Sequence, residues 1–464
     1  MSRDLPVIKV DQVFELAEAV VDGVDISGHW NRMFSQRSVT EYPTEAMDWI
    51  TSLDGGESLR DCYQCGKCVP VCPVNHVGSY GPRKLNAKVL RGNNLLDDPD
   101  LWLCTTCGNC YRVCPKEVNP LRIMPAIREQ AVLEGNVPAE LSEVFRNLQK
   151  SGNPHGHSPR KRADWIAGAG VPVPLISELG RPVDVLWYVS DYTSYHARGN
   201  DAAGAMARIL TALGVDFAIL GNEERSDADS ARLAGETGLF EMLAEHNIAT
   251  FRKYEFKRLV VMDPHAYNAF KNLYPGLGWE GEVLHYTQFL APLVDRIEFR
   301  SSVELDVTYH DPCYLGRNNG EFDAPRRLLA AIPGIRLVEM PHNRANGYCC
   351  GGGGGGMWLD GFVADHVSER LSERRVREAV ATVGPGRADA TNGTGATNGT
   401  NGTGARAAGE AGVLSVACPY EPSRFEDAVK STGNDGRLVV RDIVELIDQA
   451  MQPPRPAQHP TQPA

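Results

Sequence analysis

Twelve cysteines carry the chemistry of this 464-residue sequence, and they fall into two sets. Eight lie in two short runs, CYQCGKCVPVCP (Cys62, Cys65, Cys68, Cys72) and CTTCGNCYRVCP (Cys104, Cys107, Cys110, Cys114). Each run is C-x2-C-x2-C-x3-C-P, the spacing that holds 4Fe-4S clusters, with the fourth cysteine of one run ligating the cluster of the other. The expected sets are Cys62, Cys65 and Cys68 with Cys114, and Cys104, Cys107 and Cys110 with Cys72. Three closely spaced thiolates take three corners of a cube. The fourth corner needs a sulfur held at another angle, which Pro73 and Pro115 fix by ending the local turn. Zinc is the other chemistry of clustered thiolates, but zinc ribbons use two separated C-x2-C pairs instead of one compact run. Lys67, Arg112 and Lys116 lie among the thiolates, either easing cluster reduction or standing as solvated charges.

The second set is Cys313, Cys349, Cys350 and Cys418. Cys313 follows the strand-like LDVTYH, Cys349 and Cys350 follow IRLVEM after a short loop, and Cys418 closes VLSVA. Parallel α/β sheets place their crevice at the carboxyl ends of strands, so the four sulfurs are expected to converge there. Adjacent cysteines aim thiolates at neighbouring metals. The glycines from Gly351 to Gly356 let bare backbone approach and offer N–H donors to charged sulfur. His310 and Tyr314, beside Cys313, are candidate proton donors, with a structural hydrogen-bonding role as the alternative for His310.

The elements that must position these residues change character along the chain. Residues 1–50 read as a helical segment, from DQVFELAEAVVDGV and the start of TEAMDWITSL. Residues 51–150 read as the two-cluster domain with two following helices. A linker is expected over 151–182; its His155 and His157 form an H-x-H pair, read as incidental to metal binding. From residue 183 short β-rich runs alternate with amphipathic helices, which argues for α/β units with largely parallel strands. One unit spans 183–295 and a second 296–450, with a disordered insertion at 386–411 and a disordered tail at 451–464.

The formal charge of −12 disfavours nucleic-acid partners. No apolar run approaches the roughly 18 residues needed to span a bilayer, and MSRDLPVIKV does not start a secretory signal. A cytoplasmic location follows as the expectation, peripheral on the inner face of the cell membrane where a partner docks it. In that compartment metal ligation or redox chemistry is the default for cysteine, not disulfides.

The two α/β units are a degenerate repeat. SYHARGNDAAGAMARIL aligns with CYLGRNNGEFDAPRRLL, pairing Tyr195 with Tyr314 and Arg198 with Arg317; VVMDPHAYNAF aligns with SVACPYEPSRF, pairing Asp263 with Cys418. Where the second copy has cysteines the first has Asp191 or Ser194, then Ser226 and Asp227, then Asp263. The first copy is expected to complete the fold, with a carboxylate-ligand role for Asp191, Asp227 and Asp263 as the alternative.

The motifs HDPCYLGR, YCCGGGGGGMW and ACPY resemble the cysteine-rich CCG domain of heterodisulfide reductase catalytic subunits, here following a ferredoxin-type domain as in the fused form of that enzyme. The chain is also similar to the iron-sulfur subunit of the sulfite-reductase-associated membrane complex and to oxidoreductases linked to electron-transfer flavoprotein. The resemblance implies two 4Fe-4S clusters, a third iron-sulfur cluster on Cys313, Cys349, Cys350 and Cys418, and catalysis there of sulfur–sulfur bond cleavage or formation. A full copy in that family ends in C-x2-C; here Glu421 replaces the last cysteine and is a candidate oxygen ligand. The implied partners are a flavoprotein, a membrane quinone-linked subunit, and a sulfur-containing substrate or carrier protein. An electron conduit without chemistry of its own is the alternative function.

Overall fold

The computed structural model describes residues 44–385 and 411–453, with the backbone of Val20–Val21 and Val24–Asp25. Part of the predicted helix over 11–24 lies outside the described residues. The remainder corrects it, because Val20–Val21 (β1) pairs antiparallel with Val24–Asp25 (β2). β-Branched valines flanking Asp22-Gly23 favour a hairpin over a helix. The predicted insertion and tail also lie almost wholly outside the described residues.

The first lobe is built of short helices and loops. Helix Glu45–Ser52 buries Ala46, Met47 and Ile50, and Pro82–Leu90 buries Leu85, Asn86 and Val89. Two longer helices follow. Pro120–Leu133 starts where the Asn119 side chain accepts from the Leu121 N–H and proline occupies the first turn. Ala139–Ser151 buries Leu141, Val144, Phe145 and Leu148 on one stripe and stops at Gly152, whose φ is 67°.

Two sheets of four parallel strands make the rest. The first contains β3 (Val183–Tyr188), β4 (Phe217–Ile219), β5 (Phe256–Val261) and β6 (Glu282–His285), in the order β4-β3-β5-β6. The second contains β7 (Leu305–Tyr309), β8 (Ile335–Leu337), β9 (Gly412–Val416) and β10 (Leu438–Asp442), in the order β8-β7-β9-β10. Strand for strand the order is the same, so the repeat seen in sequence is a repeat of topology. Alternate side chains of the first sheet face opposite ways. Leu186, Tyr188, Leu259 and Val261 join the core shared with the first lobe, whereas Val185, Trp187 and Val260 pack with Val307, Tyr309 and Ile447 of the second copy.

Two local departures follow from tertiary contacts. Residues 151–182, read as a linker, lie against the first sheet: Trp165 packs edge-on to Trp187, and Leu175 bridges to Ile219. The stretch GFVADHVSERLSERRVREAVATV divides into helices Asp360–His366 and Leu371–Val383. Between them Val367 bridges to Gly78, and the Ser368 N–H donates to the Val77 carbonyl at 2.7 Å, so a loop of the first lobe interrupts the helix.

Candidate metal centre

The eight cysteines of the first lobe line two neighbouring cavities. One holds Cys62, Cys65, Cys68 and Cys114, with Cys110 at its edge and Lys67 and Lys116 on its wall. The other is lined by Cys72, Cys104, Cys107 and Cys110. The fourth cysteine of each run therefore reaches the cavity of the other run. Cys62 is in electrostatic reach of Cys114, and Cys72 of Cys104. Burial pushes the Cys72 thiol up to about 12 and the Cys110 thiol well above its ordinary value. Thiols so placed stay neutral unless a cation draws them into thiolates, so this donor set fits metal clusters.

The second set gathers around Cys349. Cys107, Cys313 and Cys350 lie close about its sulfur, and together they hold Cys349 well below the usual thiol range. The nearness of Cys349, and then burial, push Cys107, Cys313 and Cys350 up. Thr105 Oγ1 lies 3.4 Å from Cys349 Sγ. The glycine run does what its position suggests: the Gly351 N–H donates to Cys349 Sγ at 3.3 Å and the Gly352 N–H to Cys350 Sγ at 3.4 Å. Cys418, beyond β9, packs with Tyr192 and Tyr420. Burial first, and then the neighbouring Glu421, raise its thiol, and Glu421 also lies beside Cys350.

Among the described residues one group of three side chains offers ligand atoms within 4.8 Å of one another: His310, Cys350 and Glu421. His310 Nε2 lies 3.1 Å from Glu421 Oε1, and Arg375 Nε donates to His310 Nδ1 at 3.1 Å. Burial and the Arg375 charge push His310 well below the usual imidazole range, so it is a neutral hydrogen-bonding residue and not a standing acid. Tyr314 lies with its hydroxyl 3.1 Å from Thr106 Oγ1 and its ring over His265.

In the first copy a salt bridge holds Asp191 and hydrogen bonds hold the other corresponding residues. Arg162, from the segment read as a linker, pairs with Asp191 and donates to Glu224 at 2.6 Å, all three fully buried. Asp263 caps helix Pro264–Asn268 by accepting from the His265 N–H at 2.8 Å. Burial raises Asp227 far above the carboxylate range and Asp263 to about 6. Ser226 accepts from the Ala228 N–H, and Ser194 donates to the Ser190 carbonyl. His155 is half-buried among Tyr192, Tyr195 and Trp358 and pushed down to about 4 by desolvation; His157 stacks beside it.

Sequence reasoning passed over the arginines that hold the halves together. Arg128, fully buried, donates to the carbonyls of Leu101, Cys104, Leu233 and Gly354. Arg317 donates to the Cys107 carbonyl at 2.8 Å and the Gly347 carbonyl at 2.7 Å, and its charge lies beside Cys107, Cys313 and Cys349. The one local signal was the repeat, which pairs Arg317 with Arg198, itself bound to Glu426 and Glu445 of the second copy.

The 4Fe-4S dicluster domain family matches residues 58–118, and the cysteine-rich domain family called CCG matches twice, at 192–271 and 307–386. The chain is 35% identical over 365 residues to the "Probable iron-sulfur-binding oxidoreductase FadF" of Bacillus subtilis, covering 77% of this chain and 47% of that protein. It is 32% identical to the "EtfAB:quinone oxidoreductase" of Syntrophomonas wolfei, over 88% of this chain and 60% of that one. It thus spans about half to three fifths of the length of these two relatives. To a subunit of the dihydromethanophenazine:CoB--CoM heterodisulfide reductase of Methanosarcina mazei it is 29% identical, over 85% of this chain and 94% of that one. The chain thus carries a 4Fe-4S dicluster domain ahead of two cysteine-rich CCG domains, and over most of its length it is similar to that heterodisulfide reductase polypeptide.

Proposed function

We propose that this chain passes electrons through two 4Fe-4S clusters, on Cys62, Cys65, Cys68 and Cys114 and on Cys104, Cys107, Cys110 and Cys72, to a third iron-sulfur centre on Cys313, Cys349, Cys350 and Cys418 that reduces or forms a sulfur–sulfur bond. The observation that supports this most directly is the contact of Cys107, from the dicluster domain, with Cys349 of the second cysteine set. Bound there, the clusters supply one-electron steps and iron on which sulfur can sit. The chain's own residues supply the rest. Arg317 fixes the Cys107 backbone and sets positive charge beside the sulfurs, and the Gly351 and Gly352 N–H groups stabilise thiolate. Reduction of a disulfide takes two electrons and two protons and releases two thiols, so adjacent one-electron centres suit it.

The sulfur compound is a small disulfide or a persulfide on a carrier protein. Anaerobically prepared protein with a reduced dye as donor should oxidise the dye when either is added. A second reading, favoured by the name of the Syntrophomonas relative and by Glu421 in place of a fifth cysteine, is an electron conduit. In it the chain joins electron-transfer flavoprotein to a membrane quinone-linked partner that docks it at the inner face of the cell membrane. Among the described residues no helix is long and apolar enough to cross a membrane. Rapid exchange with reduced electron-transfer flavoprotein, without turnover of any sulfur compound, would decide for the conduit.

A further inference from the structure

We propose that Glu421 supplies an oxygen ligand to the metal centre beside Cys350, and that His310 and Arg375 are positioning residues that present it. The inference rests on the reading of the second cysteine set as an iron-sulfur site and names a donor in it that is not sulfur.

Glu421 opens helix Glu421–Ser431 three residues after Cys418 and is buried. Its Oε1 lies 3.1 Å from His310 Nε2. The proton on His310 is placed from behind. Arg375 Nε donates to His310 Nδ1 at 3.1 Å, and a guanidinium has no acceptor atom, so Nδ1 carries the lone pair and Nε2 the proton. Arg375 is itself fully buried and anchored to the His342 carbonyl at 2.8 Å and Glu378 at 2.6 Å. Both ring nitrogens of His310 are thereby in use, so the histidine orients a ligand and is not one.

Glu421 Oε2, by contrast, is buried and has no hydrogen-bond partner. A buried carboxylate oxygen left unpaired is unfavourable unless a ligand or ion satisfies it. Ligand atoms of Glu421, Cys350 and His310 lie within 4.8 Å of one another, so a metal on Cys350 is within reach of the Glu421 carboxylate, whose Oε2 is free to bind it. A carboxylate ligand held on its other oxygen by a buried hydrogen-bond donor is the ordinary outer-shell arrangement of metal sites. Oxygen is a harder donor than thiolate, so the iron it binds differs electronically from one held by sulfur alone.

The test is anaerobic reconstitution with iron and sulfide of the whole chain, of Glu421→Gln, Glu421→Cys, His310→Leu and His310→Gln. Iron and sulfide per chain are measured with Mössbauer and electron paramagnetic resonance spectra, the dicluster signals reporting folding. The parent should hold more iron than the about eight atoms of two 4Fe-4S clusters. Glu421→Gln should lose part of that extra iron or shift its signal, leaving the dicluster signals unchanged. Glu421→Cys should restore the iron with a signal displaced toward an all-thiolate site. His310→Leu should reproduce the Glu421→Gln spectrum, and His310→Gln, whose amide still donates, should retain the parental one. A third centre with the same spectrum in parent, Glu421→Gln and Glu421→Cys overturns the inference while leaving the iron-sulfur reading intact. A parent with only the dicluster iron overturns both.

Discussion

Arg128 contributes five hydrogen bonds to four carbonyls, two in the dicluster lobe and one in each repeat copy, from a fully buried position. A buried guanidinium is costly unless its donors are satisfied, and here the backbone of three chain segments satisfies them. Arg128→Met should therefore destabilise the protein by about 3–5 kcal/mol, with the four carbonyls left unpaired. Arg128→Lys should rescue little, since a single ammonium cannot match the fork. An unchanged midpoint in chemical denaturation would count against this account. His285 makes a second prediction. Its Nε2 donates to the Met262 carbonyl at 3.1 Å and burial holds it down at about 3, so it is neutral in the folded state. The unfolded chain binds this proton below about 6.5, the folded chain only near 3, so the stability His285 contributes is present above 6.5 and lost as pH falls through that window. The slope of stability against pH between about 5 and 6 should be shallower by roughly one proton, near 1.4 kcal/mol per pH unit, in His285→Gln.

At the scale of elements, the glycine run and the strand ends set the site. A Cβ on Gly353 would stand 2.4 Å from the Thr105 carbonyl, and one on Gly354, at φ +62°, 2.4 Å from the Cys104 carbonyl. The bare backbone lets the loop after Cys350 lie directly on the loop that carries Cys107. Gly353→Ala should cost about 1–3 kcal/mol by overpacking. It should also slow reduction of the second cysteine set by the dicluster lobe in stopped-flow, with the dicluster's own reduction unaffected; equal rates in both proteins would contradict this. Six of the eight strands in the two large sheets are legible as β-rich runs, because they are central or flanked by clear turn residues. Two edge strands, EVLH and LVVRD, are not, since an edge strand shows polar side chains to solvent and lacks a continuous apolar signature. Over Val20–Val21 and Val24–Asp25 the expected helix gives way for a related reason: valines at helical spacing also satisfy a hairpin.

For the whole molecule, the two repeat copies pack against each other, and the dicluster lobe lies against both. Tyr192 bonds to Ser423, His265 packs on Tyr314, Arg208 pairs with Asp448 at 2.9 Å, and Arg112 reaches Asn346 at 2.6 Å. The repeat copies are braced by parallel sheets, whereas the segments that carry the dicluster cysteines are short helices and loops around two cavities. Metal binding should therefore carry much of that lobe's folding energy. On removal of iron by a chelator, hydrogen exchange should rise first over residues 58–118, with the strands of both sheets still protected. Uniform loss of protection would show instead that the three parts unfold as one.

The sequence by itself determined the chemistry of the eight dicluster cysteines, the parallel α/β class and the repeat. All three are written in local spacing: ligands three or four residues apart, and hydrophobic runs of fixed period. Only the tertiary structure decided that Cys107 meets Cys349, that Arg128 and Arg317 tie the dicluster lobe to the repeats, that Arg162 pairs with Asp191 and Glu224 in the first copy, and that Glu421 faces Cys350 with an oxygen to spare. These contacts join residues far apart in the chain. No local pattern encodes them, because they are fixed by how two sheets and a helical lobe pack, and a buried charge shows its partner only once that packing has excluded water.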